Sequence, residues 1–213
     1  MIHLHSRATP NGRKVAMALE ETGLPYIVHP IDLSNKEQKT PGFLALNPNG
    51  RIPVIVDDDC PGGPATVFES GAILFYIAEK SGQLLAAHGP VRVEAQKWLF
   101  FGSSQVTHTA MQIHYLLRRK EAGEPHDNLN VYVEELARLY GILDQVLASR
   151  DFLAGGLAGG EYTIADISAW PWVDRHEAHG LDLTPWPRLQ DWLKRIGDRP
   201  GTRRGYDVPP RSD

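Results

Sequence analysis

The apolar positions change rhythm once along the chain, and that change divides it. Up to about residue 80, short apolar or alternating runs are separated by turn-rich segments. Ile2–Ser6 reads as a strand. From Arg13 to Thr22 apolar residues recur at helical spacing through Val15, Ala18 and Leu19, and Gly23 suits a left-handed cap. Tyr26–Leu33 is strand-like, but Pro30 confines it to a sheet edge or a bulge. Next come the turn LNPNG, the run RIPVIVD, the loop DDDCPGGPA, the run TVF and the stretch SGAILFYIAEKSG. The predicted order is β-α-β, an intervening segment, then β-β-α.

From Pro90 the strand pattern ends. Pro90 suits the first turn of a long helix running towards Lys120, with Trp98, Leu99, Phe101, Met111 and Tyr115 on its apolar side. Gly102-Ser103-Ser104 should kink that helix or admit a close neighbour. Residues 130–149 form an amphipathic helix with Val133, Leu136, Tyr140, Leu143 and Val146 on one stripe. Thr163-Ile164-Ala165-Asp166 has the capping-box pattern with Asp in the acceptor position, and Tyr162 and Ile167 stand where a hydrophobic staple would form. Pro171 falls inside the helix beyond that box. A last helix should run from near Pro187 to Gly197 or just beyond. The boundary lies around Ser81–Gly89, which gives a mixed α/β domain over 1–82 and an all-helical domain over 90–213.

Composition narrows the partners. With 213 residues, 42% of them apolar, the chain can bury a substantial core. The charge balance of 22 − 26 = −4, without a basic block, argues against nucleic acid or an anionic membrane as partner. No apolar run approaches the roughly 18 residues needed to span a bilayer. The N-terminus lacks the pattern of a secretion signal, and the single Cys60 excludes an internal disulfide framework. Together these predict a cytoplasmic protein.

The motifs in their order, NPNGRIPVIVD, then FESGAI opening a helix, then TIADI and WPRLQDWLKRIGDRPG, resemble the cytosolic glutathione transferases over nearly the whole chain. TPNGRK, DLSNKEQ, FESGAI and AWPWV look most like the bacterial nu class. The resemblance implies a thioredoxin-like N-terminal domain followed by the helical domain, a homodimer, and glutathione as co-substrate. It further implies disulfide reduction by bound glutathione, its thiolate attacking a disulfide or other electrophile lodged between the domains. Two other functions stay open on the same scaffold: conjugation of glutathione to organic electrophiles, and a non-catalytic glutathione- or partner-binding regulator.

The resemblance also assigns residues, and physical chemistry says what each can do. Ile52-Pro53 falls where the family places a cis-proline that turns the backbone of Ile52 towards the ligand; proline makes that isomer accessible at roughly 0.5–1 kcal/mol. Ser70, as N-cap of a helix beginning at Gly71, would stand at an anion site that suits the γ-glutamyl carboxylate, and Glu69 beside it suits the ammonium. Gln38 lies where the family contacts the glycyl end. In RATPNGRK no Tyr precedes Tyr26 and the only Cys is distant, so Thr9 and Asn11 remain as thiolate donors, with Ser6 a decoy within the strand. Either Thr9 or Asn11 would equally serve as a helix N-cap. Lowering a thiol pKa from about 8.5 to about 6.5 takes only about 2.7 kcal/mol, within reach of two hydrogen bonds to a charged sulfur.

Other residues promise less. Cys60 is flanked by acids, which disfavour a thiolate. His176 and His179 are one helical turn apart without the spacing or third ligand of a metal site, so no metal is expected. His108 and His114 on the long helix are candidates to touch an electrophile. Two positions depart from the class: Ser104–Thr109 reads SQVTHT where a glycine-rich stretch is common, and Val131 replaces an Arg that helps hold ligand. Whether one or two glutathiones bind is therefore open from sequence.

Overall fold

The computed structural model describes residues 1–154 and 161–210, in which four strands form one mixed sheet with the order β2-β1-β3-β4. β1 (Ile2–Ser6) lies parallel to β2 (Tyr26–Pro30) and antiparallel to β3 (Val54–Asp57), and β3 is antiparallel to β4 (Ala65–Phe68). β2 is an edge strand and Pro30 ends it, so the proline's missing N–H removes nothing from the ladder. Between β1 and β2 runs α1 (Pro10–Thr22), closed by Gly23 in the left-handed region. A 3-10 turn (Glu37–Lys39) and the short α2 (Pro41–Leu46) fill the intervening segment, and α3 (Ser70–Ser81) follows β4. Ile2 and Leu4 of β1, Val15, Ala18 and Leu19 of α1 and Ile73, Leu74 and Ile77 of α3 are buried. α1 and α3 pack against each other.

The chain divides into two compact units, Met1–Ala87 with Asp198–Asp213, and His88–Gly197. The residues after Asp198, grouped by the sequence pattern with the helical domain, thus cluster with the sheet. The reason is α9 (Pro200–Gly205), a helix the pattern does not announce. Gly205 lies so close to α1 that an added Cβ would stand 2.6 Å from the Met17 backbone nitrogen. Around it Arg199 pairs with Glu21 and Arg204 with Glu20, both at 2.6 Å, and the Arg13 guanidinium stacks on Tyr206 at 3.6 Å.

The helical unit is built on α7 (Ile164–Val173), every residue of which is buried, Pro171 included. α4 (Pro90–Phe100) packs on α7, as does a π-helical segment, Phe101–Val106, leading into α5 (Thr107–Glu121). The predicted interruption at Gly102 is this π segment. Gly102 is pressed against Ser168 and the backbone of Ala169, where no side chain would fit. A π turn inserts a residue and rotates the helix beyond it, so Tyr115, expected on the apolar side, is 54% exposed. α6 (Leu129–Val146) packs on α5, and α8 (Pro187–Gly197) closes the unit. The Asp144 carboxylate accepts the Arg188 and Leu189 N–H groups at 2.8 and 3.1 Å, capping α8 from α6.

Candidate functional site

The sheet register gathers the predicted residues. His5 pairs with His29 and with Val54, and Val54 pairs with Phe68, so these positions lie in one row across all four strands. Just beyond that row β1 continues to Thr9, β2 to the segment holding Gln38, β3 backwards to Pro53 and Ile52, and β4 to Glu69 and Ser70. These six, and Asn11 two residues beyond Thr9, therefore stand at one end of the sheet. Hairpin and crossover connections alone impose this.

α1 begins at Pro10, ahead of the predicted start, and Thr9 is its N-cap. The Gly12 N–H donates to Thr9 Oγ1 at 3.2 Å. A hydroxyl that accepts in this way keeps its proton as a donor, and among the described residues that proton meets no acceptor. Capping and thiolate binding, opposed in the sequence, are thus compatible at Thr9. Asn11 sits half-buried in the first turn. Gly12 has a steric reason: a Cβ there would collide with the Arg7 carbonyl oxygen where strand hands over to helix. Ser6 is fully buried and its hydroxyl donates to the Arg7 carbonyl at 3.3 Å, which removes it from the site.

Ile52-Pro53 is cis. Ile52 precedes β3 and lies outside the ladder, so its N–H and C=O are not committed to the sheet. Gln38 stands in the 3-10 turn with its Oε1 buried and without a hydrogen-bond partner among the described residues.

At α3 the structure corrects one expectation. The helix begins at Ser70, and the cap position belongs to Glu69, held at φ 69° and ψ 117°. No side chain caps this helix. Its first backbone bond runs from Ile73 N–H to Glu69 C=O at 2.9 Å. The N–H groups before it are left to an outside acceptor, and with the helix dipole they favour an anion. The left-handed backbone at Glu69, uncommon for a residue with a Cβ, belongs to this geometry.

One residue at this end does not stand out in the sequence. Lys14, three positions after Asn11 on α1, is fully buried. Burial pushes its ammonium down to about 7, while the Glu69 carboxylate pulls the other way. The sequence does carry a signal, a lysine inside the apolar face that Val15 and Ala18 define, but in a helix such a lysine ordinarily reads as solvated. A cleft of about 400 Å³ also opens at this end, lined by Arg7, Ile31, Asp32, Glu37 and Pro209 among others, bordering the predicted residues without including them.

The remaining candidates stand elsewhere. Cys60 is half-buried in the β3–β4 loop. His108 is exposed and His114 half-buried on α5, and at six residues' separation they do not share a helical face. Val131 is 61% exposed near the start of α6. Among the described residues no three His, Cys, Asp or Glu side chains gather as metal ligands, and no helix is long and apolar enough to cross a membrane.

Comparison with known proteins matches residues 8–80 to the glutathione S-transferase N-terminal domain and 106–200 to the C-terminal domain. The chain is 38% identical to the disulfide-bond oxidoreductase YfcG of Escherichia coli over 95% of its own length and 93% of that protein. It is 35% identical to YghU of the same organism, covering 97% and 74%. Among solved structures, a glutathione transferase family member from Pseudomonas fluorescens with two glutathiones bound superposes with a TM-score of 0.87 at 39% identity, covering 96% of this chain and 92% of that one. One from Pseudomonas putida with glutathione disulfide bound gives 0.87 at 35% identity, covering 98% and 91%. The sheet order, the cis-proline at the head of β3 and the helical unit built on a capped α7 have their explanation here: the chain belongs to the glutathione S-transferase family.

Proposed function

We propose that the protein is a glutathione-dependent disulfide reductase in which the attacking thiolate is glutathione's own. The observation that carries this reading is a set of donors left over at one end of the sheet: the Thr9 hydroxyl proton, the Ile52 backbone and the uncapped N-terminus of α3. Ser70 and the first N–H groups of α3 receive the γ-glutamyl carboxylate, and Glu69 receives the ammonium. Ile52 pairs with the cysteinyl backbone, and Gln38 meets the glycyl end. Thr9 and Asn11 donate to the sulfur at the positive end of α1, which favours thiolate over thiol. That thiolate attacks one sulfur of a disulfide; a new S–S bond forms to glutathione and the other sulfur departs as thiolate. No protein cysteine takes part. The names of YfcG and YghU favour disulfide exchange over conjugation to carbon electrophiles.

The working form is read as a homodimer in the cytoplasm. Val93 and Phe100, 62% and 66% exposed and seven residues apart on one face of α4, support a second copy as the cover. The cytoplasmic assignment rests on a single half-buried thiol and the absence of disulfides. Ultraviolet titration of glutathione bound to the wild-type protein tests the core of the proposal. A bound thiol that titrates below its free value, with turnover of small disulfides exceeding that of aromatic halides, supports it. A thiol that titrates as in free solution, without turnover, leaves a binding protein.

A further inference from the structure

The helical unit gathers guanidinium and imidazole side chains at one place that the thiolate chemistry does not use. α5 contributes His114 and Arg118, and the chain leaving α7 contributes Arg175, His176 and, in the 3-10 turn Glu177–His179, His179. α5 packs against both α7 and this turn. His179 is only 2% exposed, its ring stacked on Trp172 with centroids 6.1 Å apart. Neither of its ring nitrogens has a hydrogen-bond partner among the described residues. His176, by contrast, is engaged through Nδ1 with the Leu181 carbonyl at 2.8 Å. Neither Arg118 nor Arg175 joins an ion pair among the described residues.

The electrostatics report the same crowding. Burial lowers His114, and Arg118 and Arg175 lower it further, against a pull upward from Glu121. Burial pushes His179 down to about 4, with Arg175, His114 and His176 adding to it. The acids on these same stretches are Glu121, Asp174, Glu177 and Asp182; Glu177 is exposed, and Asp182 is held chiefly by its bonds to Thr184, with His176 a lesser influence. Two guanidiniums outside any ion pair among the described residues, around a buried imidazole left without a partner, are unfavourable unless something negative completes them. A metal ion does not fit, since two guanidiniums would repel it and no three ligands converge among the described residues.

We propose that this corner of the helical unit is an oxyanion site, in which Arg118 and Arg175 grip a small dianion, His114 donates from the rim and the buried His179 donates from behind. The ligand class is a dicarboxylate or a phosphate ester; both present the paired oxygens that guanidinium forks match. The site stands on its own residues and does not depend on the disulfide reading.

The test is a titration of the full chain with succinate and, separately, with inorganic phosphate near about pH 6.5, where histidine charge is sensitive to its surroundings. Ring signals of His114 and His179 are followed by nuclear magnetic resonance. Saturable shifts, with both histidines titrating at higher pH in the bound state, are expected. Arg118→Gln and Arg175→Gln should each weaken binding about tenfold, as loss of one charge-assisted contact implies. Response to succinate alone supports the site and identifies a dicarboxylate; response to phosphate alone supports it and identifies a phosphate ester. Arg118 is exposed, so its variant folds and keeps the test decisive. Failure of both anions to give saturable shifts, or an unchanged affinity in both variants, overturns the proposal.

Discussion

Two helix starts in this molecule are built to opposite specifications. At α7 side chains cap the first turn. The Thr163 hydroxyl accepts the Ala165 N–H at 3.2 Å, and Asp166 accepts the Thr163 N–H at 3.0 Å, the Leu153 N–H at 2.8 Å and the Trp192 indole N–H at 2.9 Å. At α3 no side chain caps the first turn, and the residue in the cap position is held in a left-handed conformation. The two have the same backbone groups to satisfy. The first turns its donors inward to fix the helical unit; the second leaves them open, where the proposed function seats the γ-glutamyl carboxylate. A missing cap alone is no signal, since α4, α6 and α9 also lack side-chain caps; at α3 it becomes a candidate because it stands at the same end of the sheet as Thr9 and the cis-proline.

The sharpest way to break this contrast is at α7. Asp166→Ala would strand three buried N–H donors, each worth about 1–3 kcal/mol when left unpaired, so chemical denaturation should show a loss of about 3 kcal/mol or more. Glutathione affinity of the folded protein should hold, because Asp166 belongs to the other unit. A variant as stable as wild type would show that the capping network is ornamental.

At α1 the expected effect is on chemistry. Thr9→Ala and Asn11→Ala should each raise the bound thiol's pKa by roughly one to two units, the equivalent of a lost bond of about 1.5–3 kcal/mol to a charged sulfur. Disulfide reduction near neutral pH should fall about tenfold to a hundredfold and recover as pH rises, since excess base restores the thiolate. Thr9→Ser, which keeps both cap and donor, should restore most of the rate. If both alanine variants titrate like wild type, the stretch is a capped turn and nothing more.

Ser70→Ala tests the open helix directly. Calorimetry should show glutathione binding weakened by about 1–3 kcal/mol, with little change in melting temperature because Ser70 caps nothing. The reverse pattern would return Ser70 to the role of a structural cap.

A smaller effect concerns acid. His5 is stacked on His29 with centroids 4.5 Å apart, and burial, then His29 and His3, lower its pKa. The unfolded chain therefore takes up this proton first. The stability His5 contributes is present above its unfolded value of about 6.5 and is lost as pH falls below it. His5→Gln should flatten the fall of stability with pH below about 6.5, measured by denaturation at successive pH values. The least effect is expected at Cys60→Ser, whose disulfide reductase rate should stay within a few-fold of wild type; a loss beyond tenfold in a folded protein would end the cysteine-free mechanism.

The sequence by itself determined the elements and most of the candidate residues. Strand and helix periodicity, the proline at the edge strand, the Thr163–Asp166 box and the interruption at Gly102 act through near neighbours, so they are written locally. The motifs then pointed to Thr9, Gln38, Ile52 and Glu69, because each lies beside a turn or helix start that the local pattern already marks. Tertiary structure decided what depends on distant partners. It placed α9 against α1 through glycine contact and paired charges almost two hundred residues apart in sequence. It moved the α3 cap from Ser70 to Glu69, since whether a serine caps a helix depends on the backbone angle at which β4 delivers the chain. It buried Lys14 near Glu69 and brought α5, with His114, against the turn that holds His179, for charges interact through space and dielectric, neither of which one-dimensional spacing records.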